Sequence, residues 1–170
     1  KSAIRDPNPI IFLENEILYG QSGEVPDDPE FLVPIGKARI ACAGRDVTIC
    51  AFSLMVSKAL EAAQELSLDG IEAEVIDLRT IRPLDTATIV ASVQKTNRLV
   101  TVEEGWPFAG VGAELGMMVM EQAFDWLDAP VVRVTGADVP MPYAANLERL
   151  ALPQAATIVA AARAVLGRRS

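Results

Sequence analysis

The sequence predicts an α/β domain of three layers, in which a mostly parallel sheet is covered by helices on both faces. Three observations predict it. Short apolar runs rich in Val and Ile alternate with amphipathic stretches of roughly 10–14 residues, the pattern of strand–helix–strand crossovers. At 170 residues with 51% hydrophobic content, the chain can bury one sizeable core. A stretch rich in Gly, Pro, Asp and Glu, residues 19–36, separates a short front piece from that core-forming part.

Each element has its own warrant. Residues 9–13 are an Ile-rich apolar run and read as a buried strand, with Glu14 and Glu16 sharing one face beyond it. Residues 39–42 and 47–52 read as a strand pair around the turn 43–46. In residues 55–67, Val56, Ala59, Leu60, Ala63 and Leu66 recur at helical spacing, and Gly70 ends the helix. Residues 72–78 read as a strand. Residues 86–95 read as a helix with Asp85 as its N-cap, just after Pro83. A strand at 98–103, a helix at 111–124, a strand at 130–135 and an Ala-rich helix at 153–166 complete the alternation. The expected division is a front piece at 1–20, a linker at 21–34 and a domain at 35–170.

Composition excludes several functions. The formal net charge is −8 and the basic residues form no cluster beyond Arg168 and Arg169, so a nucleic acid would be repelled. No run of about 18 apolar residues marks a membrane span. The chain has no His, the commonest general base and zinc ligand. The two cysteines, Cys42 and Cys50, read as a reduced pair of buried thiols. The opening Lys-Ser-Ala-Ile-Arg-Asp-Pro reads as the tail of a helix and carries no signal-peptide pattern, so a fragment of something longer is expected.

In a parallel sheet, functional groups gather at the carboxyl ends of the strands. Three loops fall there. The glycine-rich loop 105–112 precedes a helix and could cradle an anion, or could turn tightly and present Trp106 and Phe108 to a neighbouring subunit. It lacks the Lys-Ser/Thr of a P-loop and the third glycine of a dinucleotide fingerprint. In residues 77–85, two arginines and two aspartates could grip a carboxylate or tie the loop down by ion pairs. Residues 136–143 are stiffened by Pro140 and Pro142 and could dock a partner through Met141, or could be a plain crossover. Glu14 and Glu16 could serve acid–base chemistry or simply stand solvated.

The motifs Arg79-Thr80-Ile81-Arg82-Pro83-Leu84-Asp85, Val102-Glu103-Glu104-Gly105-Trp106-Pro107-Phe108 and Thr135-Gly136-Ala137-Asp138-Val139-Pro140-Met141-Pro142-Tyr143 together resemble the β subunits of pyruvate dehydrogenase E1 components. The resemblance runs from Ile4 to Ile158, and the second domain is more remotely similar to the carboxyl-terminal domain of transketolase. It implies a part of a thiamine-diphosphate enzyme that oxidatively decarboxylates pyruvate and passes the acetyl group to the lipoyl group of E2. It implies an α2β2 heterotetramer, with an E1 α subunit and a second β subunit as partners and Mg²⁺ on the cofactor diphosphate. The family's cofactor-activating glutamate lies upstream of Lys1, so no catalytic or cofactor-binding residue is carried over. Ala3, Ile4, Asp6 and Asn8 match part of a structural potassium site. Asp128 matches a carboxylate that docks the subunit-binding domain of the E2 acyltransferase, and Trp106, Phe108 and Met141 become subunit-contact residues. The expected location is the bacterial cytoplasm or the mitochondrial matrix. The acetoin and branched-chain 2-oxoacid enzymes, and a non-catalytic α/β interaction module, remain open alternatives.

Overall fold

The structure is a computed structural model that describes residues 1–167. Five strands form one sheet in the order β1-β3-β2-β4-β5, with β1 Arg39–Cys42, β2 Val47–Ala51, β3 Ala73–Asp77, β4 Leu99–Val102 and β5 Val132–Val134. The last four run parallel, and β1 lies antiparallel on β3 at one edge. The helices are α1 Ser2–Arg5, α2 Leu54–Leu68, α3 Thr86–Thr96, α4 Val111–Ala123, α5 Ala145–Ala151 and α6 Ala155–Val165.

The sequence patterning accounts for the layers. Along β2, Val47, Ile49 and Ala51 point to a core built with α2 and α6, while Cys50 points to a second core with α3 and α4. β3 divides likewise, Ala73 and Val75 to the first face and Ile76 to the second. Helices therefore cover both faces, as expected. Each wholly buried Ile, Leu or Val contributes about 1.5–3 kcal/mol. Asp85 caps α3 by accepting from Thr88 N–H, and Gly70 takes φ +72 just past α2, a left-handed turn that suits glycine.

One polar network lies within the second face. Thr48 Oγ1 is 2.7 Å from both Ser92 Oγ and Thr96 Oγ1, and the buried Glu74 carboxylate pairs with Lys95. Burial alone would raise Glu74. Hydrogen bonds from Lys95, Ser92 and the Gly44 N–H, with the Lys95 charge, outweigh it and hold the carboxyl below its ordinary value. Cys50 is buried and Cys42 partly so, and both are free thiols. Burial, with the nearby Glu74 charge, pushes the Cys50 thiol up to about 12, which leaves it unreactive.

Three expectations fail. The strands at 39–42 and 47–51 are not a hairpin, because β3 lies between them and pairs with both. The crossover through α2 brings β3 beside β2 in parallel, and the antiparallel β1 takes the edge that remains. Residues 9–13 form no strand and stand exposed, Ile11 at 87%, and they pair with neither edge of the described sheet. Glu14 and Glu16 consequently share no strand face: Glu16 opens a 3₁₀ turn, Glu16–Gly20, capped by the Asn15 side chain, and Glu14 accepts from the Tyr19 hydroxyl. Helix α1 lies where the opening residues read as the tail of a helix, whereas α5 was not expected. Arg168 and Arg169 lie outside the described residues.

Candidate subunit-contact site

β4 and β5 are neighbours and parallel, so their carboxyl-end loops emerge side by side. The sheet brings together residues 103–112 and 135–143. Gly136 N–H donates to the Gly105 carbonyl at 2.9 Å, Trp106 Nε1 to the Val139 carbonyl at 3.2 Å, and Arg133 Nη1 to the Pro107 carbonyl at 2.6 Å. Gly136 has to be glycine, since a Cβ there would overlap the Glu104 carbonyl. The two loops thus form one surface.

That surface is apolar and open. Trp106 is 53% exposed, Phe108 86% and Met141 57%, while Ile76 and Val100 are wholly buried. Val139 and Tyr143 are exposed beside them. Large aromatic side chains gathered on a loop surface characterise protein contacts.

The glycine-rich loop does hold an anion at the start of α4, and the anion is the chain's own. Glu103 is 3% exposed. Its Oε2 accepts from Val111 N–H and its Oε1 from Gly112 N–H, both at 2.9 Å. Free N–H groups and the helix dipole favour a negative charge there. A Cβ at Gly110 would lie 2.5 Å from Glu103 Oε1, and one at Gly112 would overlap Thr101 Oγ1. The glycines make room for an internal carboxylate, which argues against the anion-binding module. Thr101 Oγ1 is buried without a hydrogen-bond partner.

The third loop stays apart, because β2 separates β3 from β4. Arg79 Nε lies 3.6 Å from Asp77 Oδ2. Asp85 Oδ2 accepts from Ala38 N–H at 3.0 Å and from Thr88 Oγ1 at 2.8 Å, with Lys37 3.8 Å from its other oxygen. Burial would raise Asp85, but these groups hold it below its ordinary value. Of its two sequence readings, this loop shows the one in which ion pairs and hydrogen bonds tie it down.

The other expected residues lie elsewhere. Asp128 follows α4 near the Arg98 guanidinium, Oδ2 to Nη2 3.1 Å, and is 58% exposed on its side chain. Ala3, Ile4, Asp6 and Asn8 occupy one turn at the front. Pro7 has no N–H to give Ala3, and Asn8 N–H turns to Asp6 Oδ1 at 2.9 Å, so no described N–H reaches the Ala3 or Ile4 carbonyl. Free carbonyl oxygens of that kind suit a hard alkali cation. No group of three or more His, Cys, Asp or Glu side chains among the described residues is placed to hold a metal ion.

Sequence reasoning missed Glu103, Arg133 and the Asn15–Glu104 contact, Nδ2 to Oε2 3.1 Å, by which the front piece touches this surface. Burial raises the Glu104 carboxyl and the Asn15 bond only partly opposes it. The signal for Glu103 was available: a carboxylate at a strand end, with Gly-Val-Gly opening the next helix.

Fold and loops define a carboxyl-terminal domain of the transketolase kind, and the chain belongs to that family, matching Transketolase, C-terminal domain over residues 36–158. It is 61% identical over 165 residues to the pyruvate dehydrogenase E1 component subunit beta of Rhizobium meliloti, covering 97% of this chain and 36% of that protein. It is 64% identical over 166 residues to the mitochondrial subunit beta-1 of Oryza sativa subsp. japonica, covering 96% and 44%. Among solved structures it resembles a split-gene transketolase described as an inactive β4 tetramer, with a TM-score of 0.70 and 34% identity, covering 86% of this chain and 47% of that one. The chain spans less than half the length of each of these proteins. No described helix is long and apolar enough to cross a membrane.

Proposed function

We propose that this chain is the carboxyl-terminal part of a pyruvate dehydrogenase E1 β subunit and that it serves assembly rather than catalysis. The observation that carries the reading is the apolar surface of Trp106, Phe108 and Met141, built from two interlocked loops in a chain so similar to named E1 β subunits. Its partners would be an E1 α subunit and a second β subunit in an α2β2 heterotetramer.

The whole enzyme would decarboxylate pyruvate oxidatively and transfer the acetyl group to the E2 lipoyl group. Thiamine diphosphate, bound with Mg²⁺ between α and β, would supply the carbon nucleophile and electron sink for that reaction. The residues here would hold the subunits in register, so that groups from two chains meet at one reacting centre. Asp128, exposed on an acidic chain, would meet a basic E2 subunit-binding domain. The carbonyls of Ala3 and Ile4, with Asp6 and Asn8, would form part of a potassium site. Residues 1–20 would close the preceding domain, 21–34 would link, and 35–170 would be the assembly domain. The setting would be the bacterial cytoplasm or the mitochondrial matrix.

The test joins the full-length β chain to an α subunit. Thiamine-diphosphate-dependent CO₂ release is expected from pyruvate, and none from the isolated chain. A preference for branched-chain 2-oxoacids, or for acetoin cleavage, would reassign the enzyme. Asp128→Ala is expected to weaken E2-domain binding by about 2 kcal/mol in calorimetry. Unchanged affinity would remove the docking assignment.

A further inference from the structure

The surface that presents Trp106 and Phe108 depends on a loop with no regular structure between β4 and α4. The loop begins at Glu103, whose backbone N–H donates to the Val134 carbonyl at 3.0 Å and so belongs to the sheet. It ends at Val111 and Gly112, whose N–H groups both donate to the Glu103 side chain. One residue therefore fixes both ends, backbone to sheet and carboxylate to helix.

We propose that Glu103 is a positioning residue for subunit contact: its buried carboxylate, clamped in the amino end of α4, sets the loop shape that presents Trp106 and Phe108. The proposal rests on reading those two side chains as subunit-contact residues.

The chemistry of the clamp favours a carboxylate. Two N–H donors converge on two acceptor oxygens of one charged group, and charge-assisted bonds of that kind are the strong ones. A glutamine offers one carbonyl oxygen and turns an NH₂ donor toward the second N–H. The space is also fitted to the group, since an added methyl at Gly110 would press on Glu103 Oε1. Two substitutions from opposite sides therefore attack the same contact. Glu103→Gln removes one acceptor and the charge, while Gly110→Ala keeps the charge and displaces it.

The opposite edge of the loop is held independently by Arg133, Gly136 and the Trp106 indole. Loss of the clamp should therefore loosen the loop without unfolding the sheet. A stability role alone would lower the melting temperature and leave association of the folded fraction unchanged. A positioning role separates the two.

The experiment uses the full-length β chain with an α subunit and measures subunit dissociation by sedimentation, amide exchange at Val111 and Gly112, and melting temperature. Glu103→Gln and Gly110→Ala are both expected to speed exchange at those amides at least tenfold. Both are expected to weaken assembly at least tenfold at a temperature where each variant is fully folded. Phe108→Ala is the companion arm. Weakened assembly in Phe108→Ala with wild-type assembly in both clamp variants would overturn the positioning role and leave the contact reading intact. Wild-type assembly in Phe108→Ala itself would remove the contact reading beneath it. Should Glu103→Gln fail to fold, Gly110→Ala decides the matter by the same measurements.

Discussion

The front piece and the domain behind it contain similar residues and reach opposite states. Ile10, Ile11, Phe12 and Leu13 are as apolar as Val47, Ile49 and Ala51, yet the first four are exposed and the last three wholly buried. The domain residues alternate across a sheet with a helix layer on each face. The front residues lie on extended chain held by scattered polar contacts: Lys1 Nζ to the Pro29 carbonyl, Ser2 Oγ to the Val33 carbonyl, Arg5 to Glu30 and Asn15 to Glu104. Apolar character makes burial favourable, but only a complementary surface makes it possible. Exposed backbone hydrogen bonds and sparse apolar burial also mark the front piece as the low-stability region.

The contrast can be broken most forcefully in the core. Ile49→Ala is expected to lower unfolding free energy by about 2–5 kcal/mol in urea denaturation, while Ile11→Ala in the same chain stays within about 0.5 kcal/mol. A large loss from Ile11→Ala would mean that the front piece packs in solution. Next comes the joint between the two loops. Gly136→Ala places a methyl against the Glu104 carbonyl and is expected to cost about 1–3 kcal/mol. A methyl at Gly23 meets no atom, so Gly23→Ala is the matched control.

Acid sharpens the comparison through opposite signs. Glu74 is held below the ordinary glutamate value of 4.5, so its contribution is present above that pH and lost as pH falls through its folded value. Glu104, at the joint with the front piece, is raised, so its contribution is present below 4.5 and lost as pH rises through its folded value. Across pH 3 to 6, acidification should therefore shift relative stability against wild type in the comparison with Glu74→Gln, and in favour of wild type in the comparison with Glu104→Gln. Parallel trends would refute the assignment of the two environments. The smallest effect is expected at Thr101→Val, which replaces an unpartnered buried hydroxyl with a methyl of similar shape. Stability should stay within about 0.5 kcal/mol or rise, and a clear loss would reveal a partner for that hydroxyl.

The alternation of strands and helices, the covering of both sheet faces and the Asp85 cap were legible in the order of residues. Those features follow from local spacing and from side-chain chemistry within a few residues. The sequence also singled out Trp106, Phe108 and Met141, because large apolar residues among Gly and Pro stand out in any chain. Tertiary structure alone decided which strands pair. Residues 39–42 and 47–51 sit close enough in sequence for a hairpin, yet the crossover through α2 inserts β3 between them. It also decided which loops meet: with β4 beside β5 and β2 between β4 and β3, two of the three candidate loops share a surface and the third does not. The fate of residues 9–13 was likewise beyond local pattern, because a strand is completed by a neighbouring edge. Glu103 shows the same division. Its type and position are plain in the sequence, but its role depends on two backbone N–H groups that converge on it only when β4 and α4 are packed together.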